Sequence, residues 1–375
     1  MEADYNLCII EPNKGAFSET FIREHNVRLA GKKRILYGGS FPLFDHDGNY
    51  LIKSKLGLLS YLIQKRIFKK KQIKIRSKAL ANYLVKENIE VVFAEYGMVG
   101  AMVTRVCKSL NIPLIVHFHG ADIYHQETIA KYKDLYQELF SDADAIIAVS
   151  ADMVQELIKK GAPANKIHQL SCGVDVNAFP KIDITQSERN FISIGRFVEK
   201  KSPQSIVKAF KLVIEKFPDA KLWMVGDGPL HQETKLLVEE LGLSSPIILT
   251  GILDSENIRL LIKKSRCFVQ HSVTAKSGDK EGTPVTVLEA GSSGLAIVST
   301  QHGGIQEAVI NQETGYLVAE HDIEGMAAYM IKIAENVTLA SELGNKEAQH
   351  IRLNFNIEDR IKALNKIIKK AVSKN

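Results

Sequence analysis

Short apolar runs of four or five residues alternate with helical stretches along the chain, and the alternation starts twice. In the first half, strands are expected at Leu7–Ile10, Arg34–Tyr37, Val91–Ala94, Leu114–His117 and Ala145–Val149. Helices fall between them, for example over Lys78–Glu87 and Gly100–Leu110, and Asn111-Ile112-Pro113 closes the second before the next strand. In the second half, strands are expected at Phe191–Ile194, Lys221–Val225, Ile247–Leu249, Cys267–Gln270, Ala296–Ser299 and Gly315–Val318. Their helices include Pro203–Lys216, Leu230–Leu241 and Ser255–Lys264. Such alternation predicts α/β architecture with parallel sheets. The 375 residues suit two domains rather than one core. The join is read near Cys172-Gly173-Val174-Asp175, and Asp175 to Arg189 reads as a linker. The domains are therefore 1–173 and 174–357, two doubly wound units with a cleft expected at the carboxyl ends of their strands.

Composition sets the class. With 45% hydrophobic and 25% charged residues, the chain reads as a soluble globular protein. No apolar run approaches the ~20 residues that a spanning helix needs. The first ten residues, MEADYNLCII, carry acids where a signal peptide would carry Lys or Arg, so a cytoplasmic protein is expected. Cys8, Cys107, Cys172 and Cys267 stand singly, without zinc or disulfide spacing, and are expected as buried free thiols. The net charge of +6 is uneven: residues 1–80 hold 16 Lys and Arg against 7 Asp and Glu. That asymmetry calls for an anionic partner.

The segment that carries most chemistry is Glu281–Glu289, EGTPVTVLE. Thr283 reads as a helix N-cap and Pro284 as the first helical residue, with a helix over Val285–Ser292 that stops at Gly294. A helix N-terminus with free N–H groups favours phosphate. Glu281 precedes that end, and Glu289 lies roughly 8 Å inside it at 1.5 Å per residue. One carboxylate on each side of a diphosphate suits the sugar and ribose hydroxyls of a nucleotide sugar. Taken alone, the same residues also describe an ordinary capped helix.

These residues resemble the E-x7-E signature of the family-4 retaining glycosyltransferases, which have the two-domain GT-B fold: two Rossmann-like doubly wound domains facing across a deep cleft. Other segments resemble the same family in the same order. Gly195-Arg196-Phe197-Val198-Glu199-Lys200-Lys201-Ser202 is similar to its G-R-x-x-x-x-K-G loop, with Ser202 where Gly is usual. The resemblance implies that Arg196 and Lys201 clamp the donor diphosphate, as fixed cations on a leaving diphosphate should. Gly226-Asp227-Gly228-Pro229 resembles a G-x-G-P turn that lets backbone approach the nucleotide, and Thr250-Gly251 a strand end near the base. His302-Gly303-Gly304-Ile305-Gln306-Glu307 resembles the G-G-x-x-E element of the donor site. In the first half, Asn13 to Phe21 resembles a loop whose Gly15 approaches the phosphates. His117-Phe118-His119-Gly120-Ala121-Asp122 resembles an H-G-x-D element, implying that His119 and Asp122 face the donor sugar or the acceptor. The last helix, Glu358–Lys370, would return to the first domain, so that 358–375 complete it.

The implied function is transfer of a sugar from a UDP- or GDP-linked donor to a hydroxyl acceptor, with retention of configuration. The acceptor is expected to be a glycan or lipid-linked surface-polysaccharide intermediate. Glu281, His119, Arg196 and Lys201 would be catalytic. Gly15, Asp122, Gly226, Gly228, Gly251, Gly282, Thr283, Pro284, Glu289, Gly303 and Gly304 would bind the donor. No cofactor and no metal is expected: Asp45-His46-Asp47 and Asp142-Ala143-Asp144 match D-x-D, but neither follows a strand end in the context that motif needs. A GT-B nucleotide-sugar epimerase and an inactive nucleotide-binding membrane module stay open as alternatives. Finally, Leu56 to Lys78 mixes Leu59, Leu62, Ile63 and Phe68 with Lys65, Arg66, Lys69, Lys70, Lys71, Lys74, Arg76 and Lys78. It reads as a basic amphipathic helix for an anionic membrane surface, which would make the protein peripheral at the inner face of the plasma membrane. A core-facing helix is the alternative. Nucleic acid is not expected, because aromatics do not interleave with the charges.

Overall fold

A computed structural model describes residues 5–15, 19–68 and 73–374. The chain divides into two compact units. One runs to Leu170 and takes up the chain again at Ile361; the other is Ser171–Arg360.

The first unit holds strands β1 (Asn6–Glu11), β2 (Lys32–Tyr37), β3 (Phe44–Asp45), β4 (Val91–Glu95), β5 (Leu114–Phe118), β6 (Ala145–Ala148) and β7 (Ile167–Gln169). Their order is β3-β2-β1-β4-β5-β6-β7, parallel except for β3 against β2. Val91 to Ala94 is apolar throughout because both sheet faces are covered, and all four residues are fully buried. The sequence did not announce β3 and β7. Two residues in β3 carry no periodicity, and β3 is held by the stacking of Phe44 on Tyr37 at 5.3 Å. In β7 only Ile167 is apolar.

The second unit holds β8 (Asn190–Ile194), β9 (Lys221–Val225), β10 (Ile247–Gly251), β11 (Cys267–Val269), β12 (Ala296–Thr300) and β13 (Gly315–Val318). Every pair is parallel and the order is β10-β9-β8-β11-β12-β13. Both sheets thus wind outward from a central strand and then reverse. The reversal lies between β1 and β4 in one unit and between β8 and β11 in the other, the place where open α/β sheets bind ligands.

Three expectations need correction. The stretch 175–189 has no regular structure, but it is no loose linker: Phe179 and Ile184 are buried, and the Phe179 carbonyl accepts the Ser292 hydroxyl at 2.8 Å. The helix Val285–Ser292 forms where expected, yet its cap position is Pro284, with ψ at 111°, and not Thr283. The expected single basic helix from Leu56 to Lys78 is two: Lys69, Lys70 and Lys71 lie outside the described residues, Lys74–Lys86 is a separate helix whose Arg76 is buried, and the first helix is Lys55–Arg66. Its apolar stripe does not face the core. Leu56 is 80% exposed and Ile67, just past the helix, 69%, with Leu59 and Ile63 exposed between them, while Gly57 and Tyr61 pack inward.

Both D-x-D segments have structural work. Asp45 Oδ1 accepts the Asn49 N–H at 2.8 Å in the turn after β3. Asp144 accepts the Leu114 N–H at 3.0 Å, and Asp142 pairs with Lys108 at 2.8 Å. All four cysteines are buried, and none forms a disulfide. No helix among the described residues is long and apolar enough to cross a membrane.

Candidate functional site

In the second unit the expected residues collect at the carboxyl ends of β8, β9, β11 and β12. The turn after β8 carries Gly195 and an exposed Arg196, then a short 3-10 turn, Glu199–Lys201, that returns Lys201 beneath it. Lys201 Nζ lies 3.3 Å from Glu281 Oε1, and both side chains are largely buried. Burial alone would raise the Glu281 pKa; Lys201 first, then Lys200 and His302, overcome it and hold the carboxyl at about 2. For Lys201, burial outweighs the attraction of Glu281 and lowers the ammonium pKa. The pair is therefore a buried ion pair, yet Glu281 Oε1 makes no hydrogen bond of good geometry. Such an acceptor is costly to leave unused and cheap to offer to a ligand hydroxyl.

Ser202 follows with φ 39° and ψ 58°, the left-handed region. That is the physical reason for glycine at this point of the loop. Here the serine hydroxyl meets that of Ser205 at 2.7 Å instead.

The glycines of the β9 turn act within the protein. A Cβ on Gly226 would meet the Gly195 carbonyl oxygen at 2.0 Å, and one on Gly228 the Phe197 carbonyl at 2.6 Å. Phe197 N–H donates to the Asp227 carbonyl at 3.0 Å, and Leu230 N–H to the Phe197 carbonyl at 2.9 Å. These glycines let two turns close on one another, which sets the loop of Arg196. Gly251, at the end of β10, accepts the Gly226 N–H at 2.9 Å through its carbonyl.

Glu281 and Gly282 are positioned from β12. Gly304 N–H donates to the Gly282 carbonyl at 2.8 Å, and a Cβ on Gly304 would meet that oxygen at 2.3 Å. Gly303 lies equally close under Glu281. His302 adds a relay that the sequence reading did not assign: its Nε2 accepts the Glu281 N–H at 3.1 Å, and its Nδ1–H donates to Glu320 at 2.7 Å. Glu320 in turn accepts the Thr274 N–H at 2.7 Å. Thr283 and Pro284 are buried between Glu281 and the helix, and Glu289 is half-buried just over one turn along it.

In the first unit, His119 follows β5 and Glu95 ends β4. Glu95 is fully buried; its Oε1 lies 2.6 Å from His25 Nδ1 and its Oε2 2.8 Å from His119 Nε2. Burial would raise this carboxyl, but His25 and then His119 hold it well below the usual carboxylate range. Asp122, expected to face a ligand, is turned inward. Its carboxylate accepts N–H groups from Gly97 at 2.8 Å, Gly120 at 2.8 Å and His119 at 3.1 Å, so it is a structural brace for the His119 turn. Burial raises its pKa despite those bonds. Gly15 sits after β1 with φ 66°; Ala16, Phe17 and Ser18 of the same loop lie outside the described residues.

The donor atoms of His25, Glu95 and His117 lie within 4.8 Å of one another. A metal with ligand bonds of about 2 Å would separate its donors by roughly 3 Å or more. The Glu95–His25 distance, 2.6 Å, is shorter than that and marks a hydrogen bond, while His117 stands 3.7 Å from Glu95.

With this geometry in hand, residues 176–350 match the family model for glycosyl transferases group 1, and residues 60–178 that for Glycosyltransferase Family 4. The amylovoran biosynthesis glycosyltransferase AmsK of Erwinia amylovora is 27% identical over 250 residues, 66% of this chain. The match spans 61% of that relative's length. In three dimensions the chain is similar to sucrose-phosphate synthase of Thermosynechococcus elongatus, with TM-score 0.77 and 16% identity over 99% of this chain and 100% of that one. It is equally similar to Anabaena HepE, solved in complex with UDP, at TM-score 0.77 and 14% identity over 98% of this chain and 100% of that one. The chain belongs to the family 4 glycosyltransferases, the glycosyl transferases group 1, and has their GT-B fold.

Proposed function

We propose that this chain transfers a sugar from a nucleoside diphosphate donor to a hydroxyl acceptor with retention of configuration. The observation that carries the reading is the buried Lys201–Glu281 pair beside the exposed Arg196, at the sheet reversal of the second unit. Arg196, Lys201 and the backbone before Val285 offset charge on a departing diphosphate. Glu281 positions the sugar, and Glu289 holds the ribose. In the first unit, His119 is the candidate catalytic residue. No step calls for a metal, because fixed cations supply the counter-charge.

A role in making a surface polysaccharide, by way of a lipid-linked intermediate, rests on the Erwinia relative named for amylovoran synthesis. A uridine base rests on the HepE complex with UDP. The outward apolar stripe of Leu56, Leu59 and Ile63, flanked by Lys55, Lys65 and Arg66, suits an anionic membrane surface. It favours a protein peripheral at the inner leaflet.

Two measurements test this. A thermal-shift screen should find UDP or GDP raising the Tm by mass action. Glu289→Ala should then weaken UDP binding by about tenfold, the loss of one charge-assisted hydrogen bond. Undiminished UDP binding in that variant would remove Glu289 from the donor site. In sedimentation with phosphatidylglycerol vesicles, Leu56→Glu/Ile63→Glu should abolish binding, and uncharged phosphatidylcholine vesicles should bind neither form.

A further inference from the structure

The cluster at the end of β4 does more than fill the core. Strands β4 and β5 are in register with Glu95 opposite His117. His119, two residues on in extended chain, shares the His117 face, and the two imidazole centroids are 4.2 Å apart. The geometry therefore places three imidazoles around one buried carboxylate. Each Glu95 oxygen is committed, Oε1 to His25 and Oε2 to His119. His117 lies farther off, 3.7 Å from Oε2, and neither of its ring nitrogens has a hydrogen-bond partner among the described residues.

A nitrogen that meets a carboxylate oxygen at 2.8 Å must carry the proton. In the neutral imidazole the other nitrogen is then a bare acceptor. For His119 this leaves Nδ1 as the acceptor, and Nδ1 has no partner among the described residues. The ring cannot turn to exchange the two. Phe21 stacks on it at 4.2 Å and Tyr96 meets it edge-on at 4.8 Å. Tyr96 is itself tied through its hydroxyl to Glu19 at 2.9 Å, and Asp122 holds the His119 backbone N–H.

We infer that Glu95 is a positioning residue: it locks His119 as the Nε2–H tautomer, so that Nδ1, buried and without a partner among the described residues, is the nitrogen left to accept a hydrogen bond from a substrate hydroxyl. His25, on the second oxygen, keeps the Glu95 carboxylate from rotating away. The inference rests on the reading of His119 as a site residue, and deepens it by naming which nitrogen works and what selects it.

The test uses the full chain labelled with 15N-histidine, with imidazole nitrogens read by long-range proton–nitrogen correlation. The His119 signals are identified by their loss in His119→Asn. In the unaltered protein, His119 should show a protonated Nε2 and an unprotonated Nδ1; the opposite tautomer overturns the inference with no variant needed. Glu95→Gln keeps the volume but offers one acceptor and one donor. It should therefore invert the tautomer of His119 or of His25, and it should lower kcat by about 10²-fold, the lower range for loss of acid–base placement. The KM for UDP-glucose should stay within about twofold, because the donor contacts lie in the second unit. Unchanged tautomers together with unchanged kcat in Glu95→Gln would sink the proposal. Should Glu95→Gln fail to fold, His25→Gln serves, since its amide still donates to Oε1: His119 must keep its Nε2–H there, and loss of it overturns the inference. A His119→Ala variant with full turnover would instead overturn the site reading of His119, a result independent of the tautomer.

Discussion

The two units share one sheet plan and use it for different chemistry. At the reversal of the second sheet stand a lysine, an arginine and a carboxylate, carried on glycine turns that close on one another. At the reversal of the first stand one carboxylate and three imidazoles among aromatic rings. Cations on turns suit a diphosphate, whose charge is large and spread over many oxygens. Imidazoles held by a carboxylate suit neutral hydroxyls, where direction matters more than charge. Both units use a carboxylate–imidazole pair, but in opposite senses. Glu320 orients His302, which serves a backbone N–H of Glu281; Glu95 orients His119, whose Nδ1 stays free of partners among the described residues.

The contrast breaks first at Lys201. Lys201→Ala leaves Glu281 buried without its cation. Turnover of the donor found in the screen should fall by about 10³-fold, as for loss of a fixed charge in a dry site. Stability should fall by about 3 kcal/mol, the cost of orphaning one member of a buried pair. Steady-state kinetics and urea unfolding check both, and retention of either value would show the pair to be peripheral.

A buried glutamate with no cation beside it among the described residues sharpens the comparison. Glu347 packs against Gly291, on the helix of Glu289, and a Cβ there would meet Glu347 Oε1 at 2.8 Å. Burial pushes its pKa up to about 8, with Thr314 opposing weakly. Its folded pKa thus exceeds the unfolded value of about 4.5, and the protonated form is the one the fold prefers. The stability tied to that proton is fully present below pH ~4.5 and is lost as pH rises through about 8, near 1.4 kcal/mol per unit between them. Glu347→Gln should remove this slope, so that its Tm exceeds that of the unaltered chain by several degrees at pH 8.5 and by much less at pH 5. Parallel Tm curves from pH 5 to 8.5 would show that Glu347 is ionised and solvated. Glu281 and Glu95 are shifted the other way and add no such alkaline loss.

The smallest effect is expected at Ser202. Ser202→Gly relieves a left-handed serine and should stabilise the second unit by about 1 kcal/mol, or roughly 2–4 °C in Tm. A fall in Tm would mean that the Ser202–Ser205 hydroxyl contact outweighs the backbone strain.

Much of this was legible in the residues. Every expected strand forms, within two residues at each end, because a strand covered on both faces must be an unbroken apolar run. Arg196, Lys201, Glu281 and Glu289 were picked out for a related reason: residues on strand-end turns and one short helix lie in short, recognisable segments of sequence. Glu95, His25 and Glu320 were not visible. Glu95 ends its strand as an ordinary acidic residue would, and its partners are 70 and 24 positions away. His302 stood inside a recognised motif, but its service to the Glu281 N–H depends on β12 bringing it beside a loop 21 residues earlier. Asp122 read as a ligand contact, since its three backbone donors come from a turn and a helix end that only folding assembles.

The sequence by itself determined the two α/β units, the family and the charges of the donor side, since periodicity and short motifs are local properties. The tertiary structure decided what the recognised residues do: glycines that join turns, an aspartate spent on backbone, a histidine given one free nitrogen. Those roles depend on which buried polar group each residue meets across the sheet, and in a closed interior every such group has to be matched to a partner at hydrogen-bond distance.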